Sequence, residues 1–161
     1  MVGGAEVELS GRCACGSAQY VVENKPLFTQ ICHCTDCQRT TGSAFVVHLI
    51  IPRSDFSITG DTSVATLPTG SGSGCDIHFC RECGTYLWCK YRYHTAPVMA
   101  VRCGTLDDPS TVVPQAHIFT RSMQPWIRLP EGVPSFSEGC DRNEVWPQDS
   151  LDKYNALVGT G

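Results

Sequence analysis

The sequence predicts a single all-β domain. Short runs of β-forming residues recur between turn residues, and the 15 glycines and 10 prolines are spread over the whole length. Residues 17–23 alternate apolar and polar side chains in the manner of a half-buried strand, whereas helical periodicity is scarce. A chain of 161 residues is about one domain long, so we expect one domain over residues 1–161.

The β prediction applies to a series of short segments, taken in chain order. Strands are predicted at residues 6–9, 17–23, 44–51, 56–59, 63–67, 76–80, 85–93, 97–103 and 115–119. A short helical turn is predicted at 35–41, and the glycine- and serine-rich residues 68–75 are typical of a flexible surface loop. The density of prolines in the last third predicts a core of about 8–136 and an irregular C-terminal tail, 137–161. Within that tail, residues 148–158 are compatible with a small helix or with disorder.

Charge and hydropathy exclude several classes of partner. The formal net charge is -4 and the sequence pI about 5.7, so the chain lacks the basic patch or stripe of a nucleic-acid binder. The longest apolar run, around residues 44–52, is too short to span a bilayer. The N-terminal residues have no basic start followed by an apolar segment, so we expect no signal peptide, no membrane contact and a cytosolic location.

Eleven cysteines are the most informative feature of the composition. Seven of them form three groups at short spacing: Cys13 with Cys15, then Cys32, Cys34 and Cys37, then Cys80 with Cys83. A disulfide framework is the alternative, but the odd number, the chain length and the predicted cytosolic location argue against it. Dense thiols in a reducing compartment indicate metal ligands, and C-x-x-C spacing suits zinc.

The number of ligands separates two kinds of metal site. The first and third groups together supply four thiolates, which is a closed, structural zinc site. The middle group supplies three, which leaves an open position of the kind that catalytic zinc sites keep. Two alternatives remain open at this point: the first group could pair with two middle sulfurs, and His33 or another residue could close the middle site.

The three cysteine groups also carry a family resemblance. The segments "GRCACGSAQY", "CHCTDCQRTTGSAF" and "FCRECGT" resemble the glutathione-dependent formaldehyde-activating enzyme family, also called the centromere-protein-V-like domain. The later "CGTLDDP", "HIFTR" and "PWIRLP" are similar to the C-terminal half of that family, so the resemblance covers residues 8–136. It implies the β-tent fold, in which several small twisted antiparallel sheets surround a structural zinc.

The resemblance also implies the site and the reaction. Cys13, Cys15, Cys80 and Cys83 would hold the structural zinc, and Cys32, Cys34 and Cys37 the catalytic zinc, two zinc ions per chain. The implied activity is that of a carbon–sulfur lyase acting on a glutathione-like thiol and a small aldehyde, or on their adduct. Two alternatives are a zinc enzyme of the same fold that hydrates, eliminates or isomerises another metabolite, and a non-catalytic zinc-stabilised interaction module.

Other residues are candidates for supporting roles, each with a structural alternative. Arg39 could receive a substrate carboxylate, although a solvated or ion-paired arginine explains it equally well. We expect His33 to point away from the metal, and His48 and His117 to be buried, hydrogen-bonded histidines or proton carriers. Trp126 and Tyr91 could wall a pocket or pack in the core. The isolated cysteines are expected to be small buried or bystander residues: Cys75, Cys89, Cys103 and Cys140.

Overall fold

A computed structural model describes residues 8–69 and 72–159 of the chain and confirms the all-β prediction. Its strands are β1 (Leu9–Arg12), β2 (Gln19–Val22), β3 (Phe28–Cys32), β4 (Val46–Pro52), β5 (Phe56–Thr59), β6 (Thr62–Leu67), β7 (Cys75–Cys80), β8 (Tyr86–Tyr91), β9 (Val98–Arg102) and β10 (Ala116–Ile118). Its helices are α1 (Thr35–Thr41), α2 (Arg142–Val145) and α3 (Gln148–Val158). Short 3-10 turns lie at Arg53–Asp55, Cys103–Thr105, Pro109–Thr111 and Thr120–Ser122.

Most predicted elements correspond to observed ones, with one clear omission. The predicted runs match β2 and β4 to β10, and α1 has the predicted bounds. The first two residues of the predicted strand 6–9 lie outside the described residues, and its last residue begins β1; residues 70 and 71 of the predicted loop 68–75 also lie outside them. The sequence prediction missed β3, because the polar Thr29 and Gln30 interrupt its apolar pattern.

The smaller sheet has three antiparallel strands in the order β1, β2, β5. The alternation predicted for its middle strand is confirmed, since Tyr20 and Val22 are buried while Gln19 is exposed. The Tyr20 hydroxyl lies 2.7 Å from the hydroxyl of Thr105, in the turn that follows β9 of the other sheet. This contact helps to hold the small sheet against the large one.

The larger sheet has seven strands in the order β10, β3, β4, β9, β8, β7, β6. All neighbouring pairs are antiparallel except β10 and β3, which are parallel. The missed strand β3 is therefore an interior strand, and it ends at Cys32. Its neighbour β4 places His48 directly opposite Arg102 of β9.

The apolar core lies on both faces of the large sheet. Successive residues of a strand point to opposite faces, and β4 shows this directly. Leu49 and Ile51 pack in one cluster with residues of the small sheet, whereas Ile50 packs in a second cluster on the other face. A strand buried on both faces needs a continuous apolar run, which explains the sequence "LII" within β4.

The C-terminal tail is more regular than the predicted irregular segment, because α2 and α3 lie within it. Residues 148–158 form a helix that packs on the second core cluster through Leu151 and Tyr154. Trp146 stacks on Phe28 at 5.4 Å between ring centroids and meets the Tyr154 ring edge-on at 5.6 Å. None of the helices in the described parts of the chain has the length and apolar character needed to cross a bilayer.

Acidification is expected to weaken the packing of α3. Burial, with a smaller effect of Arg142, lowers the pKa of His94 from 6.5 to about 4, and its Nδ1 lies 3.4 Å from the Tyr154 hydroxyl. The folded state therefore binds a proton less readily than the unfolded state, and stability present above pH 6.5 is lost as the pH falls toward 4. The loss at pH 5 should be on the order of 1 kcal/mol, because His94 is only partly buried. Urea unfolding at pH 7 and pH 5 would measure it, and His94→Gln should remove most of the difference; an unchanged difference in that variant would contradict the assignment.

Candidate metal centres

Seven cysteines assemble into two groups that could each hold a metal ion. One group consists of Cys13, Cys15, Cys80 and Cys83, and the other of Cys32, Cys34 and Cys37. Within each group every sulfur lies within 4.8 Å of every other. Four thiolates around one zinc ion at ~2.3 Å stand about 3.8 Å apart, so only small movements separate these positions from a coordinated geometry. All eleven cysteines are free thiols, so the disulfide alternative has no counterpart in the structure.

Two tight turns present the four-cysteine group. The backbone N–H of Gly16 donates to the carbonyl of Cys13, and that of Gly84 donates to the carbonyl of Cys80. Both glycines have positive φ, 78° and 72°, which a residue with a side chain adopts only with strain. Each turn therefore reverses the direction of the chain, so that its second cysteine faces the first.

The four-cysteine group joins the two sheets. Cys13 directly follows β1 of the small sheet, and Cys80 ends β7 of the large one, with Cys15 and Cys80 sulfurs 3.8 Å apart. The backbone N–H of Ala14 donates to the Thr85 hydroxyl across the same junction. Cys13 and Cys80 are buried in the core cluster that lies between the sheets. A metal ion held by these four sulfurs would tie the two sheets together.

The three-cysteine group lies where β3 passes into α1. Cys32 is the last residue of β3, Cys34 is the N-cap of α1, and Cys37 is in the first turn of that helix. The sulfur of Cys34 accepts the backbone N–H of Cys37 at 3.3 Å. Cys32 and Cys37 are buried, whereas Cys34 is half-buried. Solvent therefore reaches this group from the side of Cys34.

The three thiols share their protons unequally. Hydrogen bonds from the thiols of Cys32 and Cys37 and from backbone N–H groups lower the pKa of Cys34 to about 2. Interaction with Cys34 raises the pKa of Cys32 well above its ordinary range. Negative charge therefore gathers at the most accessible sulfur. Since metal binding replaces thiol protons, the donor set fits a soft-ligand divalent cation such as zinc.

No fourth donor completes the three-cysteine group within residues 8–69 and 72–159. No further His, Cys, Asp or Glu ligand atom joins the group. His33 lies between two of its cysteines in sequence, but its Nε2 is 3.0 Å from Nδ1 of His117, and both imidazoles are buried. The two histidines therefore engage each other, and His33 is not among the ligand atoms of the three-cysteine group.

His48 is close to the group but is engaged elsewhere. Its Nε2 lies 3.6 Å from the sulfur of Cys37 and 2.5 Å from Nη1 of Arg102. Because a guanidinium only donates, Nε2 must be the acceptor, which places the imidazole proton on Nδ1. Burial and the neighbouring charge of Arg102 lower the pKa of His48 well below its ordinary value. His48 is thus neutral, and its one lone pair is occupied by Arg102.

Arg102 is a residue of this region that sequence reasoning did not identify. It is 5% exposed, and its guanidinium carbon lies 4.0 Å from the centroid of the Tyr86 ring. It lines a groove of about 490 Å³ at the end of α1, together with Thr40, Thr41, Phe45 and Thr105 among others. No signal in the sequence distinguishes this arginine from the others, because its burial depends on strands far apart in the chain.

The other candidates have varied locations. Arg39 is exposed on α1 and is not among the residues that line the groove, so its role in carboxylate binding stays a prediction. The Tyr91 hydroxyl lies 3.8 Å from the Cys37 sulfur, whereas Trp126 is 68% exposed.

The side-chain amide of Gln38 donates to the carbonyls of His33 and Ser122 and so ties α1 to the C-terminal segment. The isolated cysteines are buried, except for the half-buried Cys140.

The fold and the two cysteine groups define a class of protein: a β-rich domain with one four-thiol and one three-thiol group that could each hold a metal ion. A family model described as "Glutathione-dependent formaldehyde-activating enzyme" matches residues 8–122, which contain both groups. The chain belongs to this family. The match ends before the C-terminal segment that contains α2 and α3.

Comparison with individual proteins adds little detail. No curated protein matches the chain at a significant level. One solved structure with similarity is the crystal structure of a Rhodobacter sphaeroides protein, at 24% sequence identity and a TM-score of 0.49. The alignment covers 65% of this chain and 97% of that protein.

Proposed function

We propose that the protein is a zinc-dependent carbon–sulfur lyase that joins or cleaves a glutathione-like thiol and a small aldehyde at the three-cysteine group. One observation carries the proposal: three sulfurs converge within 4.8 Å with no fourth protein donor among the described residues, in a chain of a formaldehyde-activating family. A group of this kind keeps one position for an incoming molecule, as catalytic zinc sites do.

The two cysteine groups would have different tasks. Cys32, Cys34 and Cys37 would hold the catalytic zinc, and the closed four-cysteine group would hold a structural one. Zinc bound to three thiolates would supply the acidity that makes a thiolate of a substrate thiol at neutral pH. The position of the half-buried Cys34 supports access from solvent.

The proposed reaction needs little further chemistry from the chain. The substrate S–H loses its proton, a sulfur–carbon bond forms as the aldehyde C=O bond opens, and the proton ends on the former carbonyl oxygen. Cleavage is the reverse. His33, His117 and His48 each have a ring nitrogen engaged by another buried side chain, so none of them is assigned as the proton carrier. Free thiols in this number also favour a reducing compartment such as the cytosol, which localisation of the tagged chain would test.

The direct test is exchange spectroscopy by NMR on mixtures of glutathione and formaldehyde, which follows the interconversion of free and adducted thiol with and without the protein. The zinc-loaded protein at a small fraction of the substrate concentration is expected to accelerate exchange between free and adducted thiol. Cys34→Ser should reduce that acceleration to the uncatalysed rate while it retains the metal of the four-cysteine group. Metal analysis of the wild type should give two zinc ions per chain.

The outcomes separate the proposal from its alternatives. Acceleration with other thiols or aldehydes, but not with this pair, would keep the lyase reaction and change the substrate. A protein with two zinc ions that accelerates no thiol–aldehyde pair would overturn the proposal. In that case hydration, elimination or isomerisation of another metabolite, or a non-catalytic interaction module, would become the better reading.

A further inference from the structure

Arg102 carries a buried positive charge that lacks a carboxylate partner. Arg102 is 5% exposed, and a buried cation is costly unless it is paired. Within residues 8–69 and 72–159 no carboxylate lies within ion-pairing distance of its guanidinium. Other arginines among those residues do form ion pairs: Arg12, Arg81, Arg92 and Arg121.

The contacts that Arg102 does make point toward sulfur. Nη1 donates to Nε2 of His48 at 2.5 Å, and that nitrogen lies 3.6 Å from the sulfur of Cys37. The guanidinium is thus within about 6 Å of a sulfur of the three-cysteine group, a range in which an opposite charge favours the charged form of a group. On its other side, Nη2 lies 3.7 Å from the sulfur of Cys89, and the Tyr86 ring covers the guanidinium plane.

The charges of the metal site match this arrangement. A divalent cation held by three thiolates has a net charge of minus one, and two of its three sulfurs are buried. One guanidinium beside it brings the local charge to zero. Outer contacts of this kind fix ligand orientation and affinity at metal sites. Burial lowers the pKa of Arg102, but negative charge on its neighbours, first on Cys89, then on Tyr86 and Tyr91, and last on Cys37, raises it above its ordinary value.

We infer that Arg102 is a positioning residue whose buried guanidinium compensates the negative charge of the metal-bound Cys32, Cys34 and Cys37, with His48 as the intervening contact. The inference rests on the proposed metal at that group and goes beyond the proposed reaction, since it assigns the electrostatic partner of the site. Arg102 supplies the charge, and the neutral His48 lies between its guanidinium and the sulfur of Cys37.

The test is Co²⁺ titration of the metal-free full-length protein, with competition by a chromophoric chelator. Arg102→Gln retains a hydrogen-bond donor and removes the charge. It is expected to weaken metal binding at the three-cysteine group about 10- to 100-fold. Binding at the four-cysteine group should be unchanged, which at once serves as the control for folding. Arg121→Gln, at an exposed arginine, should change neither site.

A second variant keeps the inference testable if Arg102→Gln does not fold. Arg102→Lys retains the charge without the planar fork, so its metal affinity should stay near that of the wild type. An equal loss in Arg102→Lys and Arg102→Gln would mean that shape rather than charge matters, and would overturn the inference. Unchanged affinity in Arg102→Gln would overturn it as well.

Two further results separate this inference from competing explanations. Cys89→Ala removes the thiol on the other side of the guanidinium and should leave metal affinity at the three-cysteine group equal or stronger. A loss as large as that of Arg102→Gln would assign the role of Arg102 to Cys89 instead. If the wild type bound no metal at the three-cysteine group, the proposed function itself would fail, whereas metal binding that ignores Arg102 would remove this inference alone.

Discussion

Replacing Cys80 with serine is expected to unfold the protein, whereas replacing Cys34 with serine is expected to leave the fold intact and remove one metal ion per chain. Cys80 is fully buried at the junction of the two sheets. The free energy of metal binding at a structural site contributes directly to the free energy of folding. The two variants should therefore differ in their free energy of unfolding by several kcal/mol, with an upper limit of about 10. Cys34 is half-buried at a helix N-terminus, where a serine hydroxyl caps as well as a sulfur does.

Urea unfolding and metal analysis of the same samples would measure this contrast. Cys140→Ser is the matched control, because Cys140 is half-buried and belongs to neither group. It should retain both metal ions and nearly all of the stability. Should Cys34→Ser prove as destabilising as Cys80→Ser, the three-cysteine group would be structural, and the lyase proposal would lose its basis.

Replacing Trp146 with alanine is expected to lower the free energy of unfolding by about 3–5 kcal/mol. Trp146 is 9% exposed, and its ring contacts Phe28 at the start of β3 and Tyr154 of α3. The substitution therefore removes a large apolar side chain from the second core cluster and detaches the C-terminal helices from the sheet. The midpoint of urea unfolding, with the slope taken as a check on two-state behaviour, would measure the loss.

The chain provides its own control for this prediction. Trp126 is 68% exposed, so Trp126→Ala should change stability by no more than about 0.5 kcal/mol. Similar losses in the two variants would contradict the packing described here and would mean that the tail contributes little to the core. A large loss only in Trp146→Ala would show that residues beyond the family match, which ends at 122, are part of the stable fold.

Much of the candidate site could be predicted from spacing because zinc ligands impose strong local constraints. Cys80 and Cys83 form a C-x-x-C turn with Gly84 at positive φ, and Cys13 and Cys15 form the corresponding turn with Gly16. The number of ligands favours an assembly of four and three sulfurs over the other pairings, and the structure brings these same sulfurs together. Whether the three-cysteine group holds a catalytic zinc stays a prediction.

The missed strand and the missed arginine have a common cause. β3 contains Thr29 and Gln30, which interrupt the local apolar pattern. Their backbone groups are instead paired with a neighbouring strand, and the backbone N–H of Thr29 also donates to the side-chain oxygen of Gln115. Arg102 looks like the polar end of an apolar strand, and only the pairing of β4 with β9 places it beside His48. Both features depend on contacts between segments that are distant in the chain, and periodicity reports only on neighbours.

By itself the sequence determined the all-β class, the helix at 35–41, the three short-spaced cysteine groups and the net negative charge, because alternation, ligand spacing and charge are local or additive properties. The tertiary structure alone decided that the four-cysteine group joins two sheets, that His33 engages His117, and that the buried guanidinium of Arg102 bonds to His48, which lies beside Cys37. Those facts depend on which strands become neighbours, and that choice is made by the burial of the whole apolar surface at once.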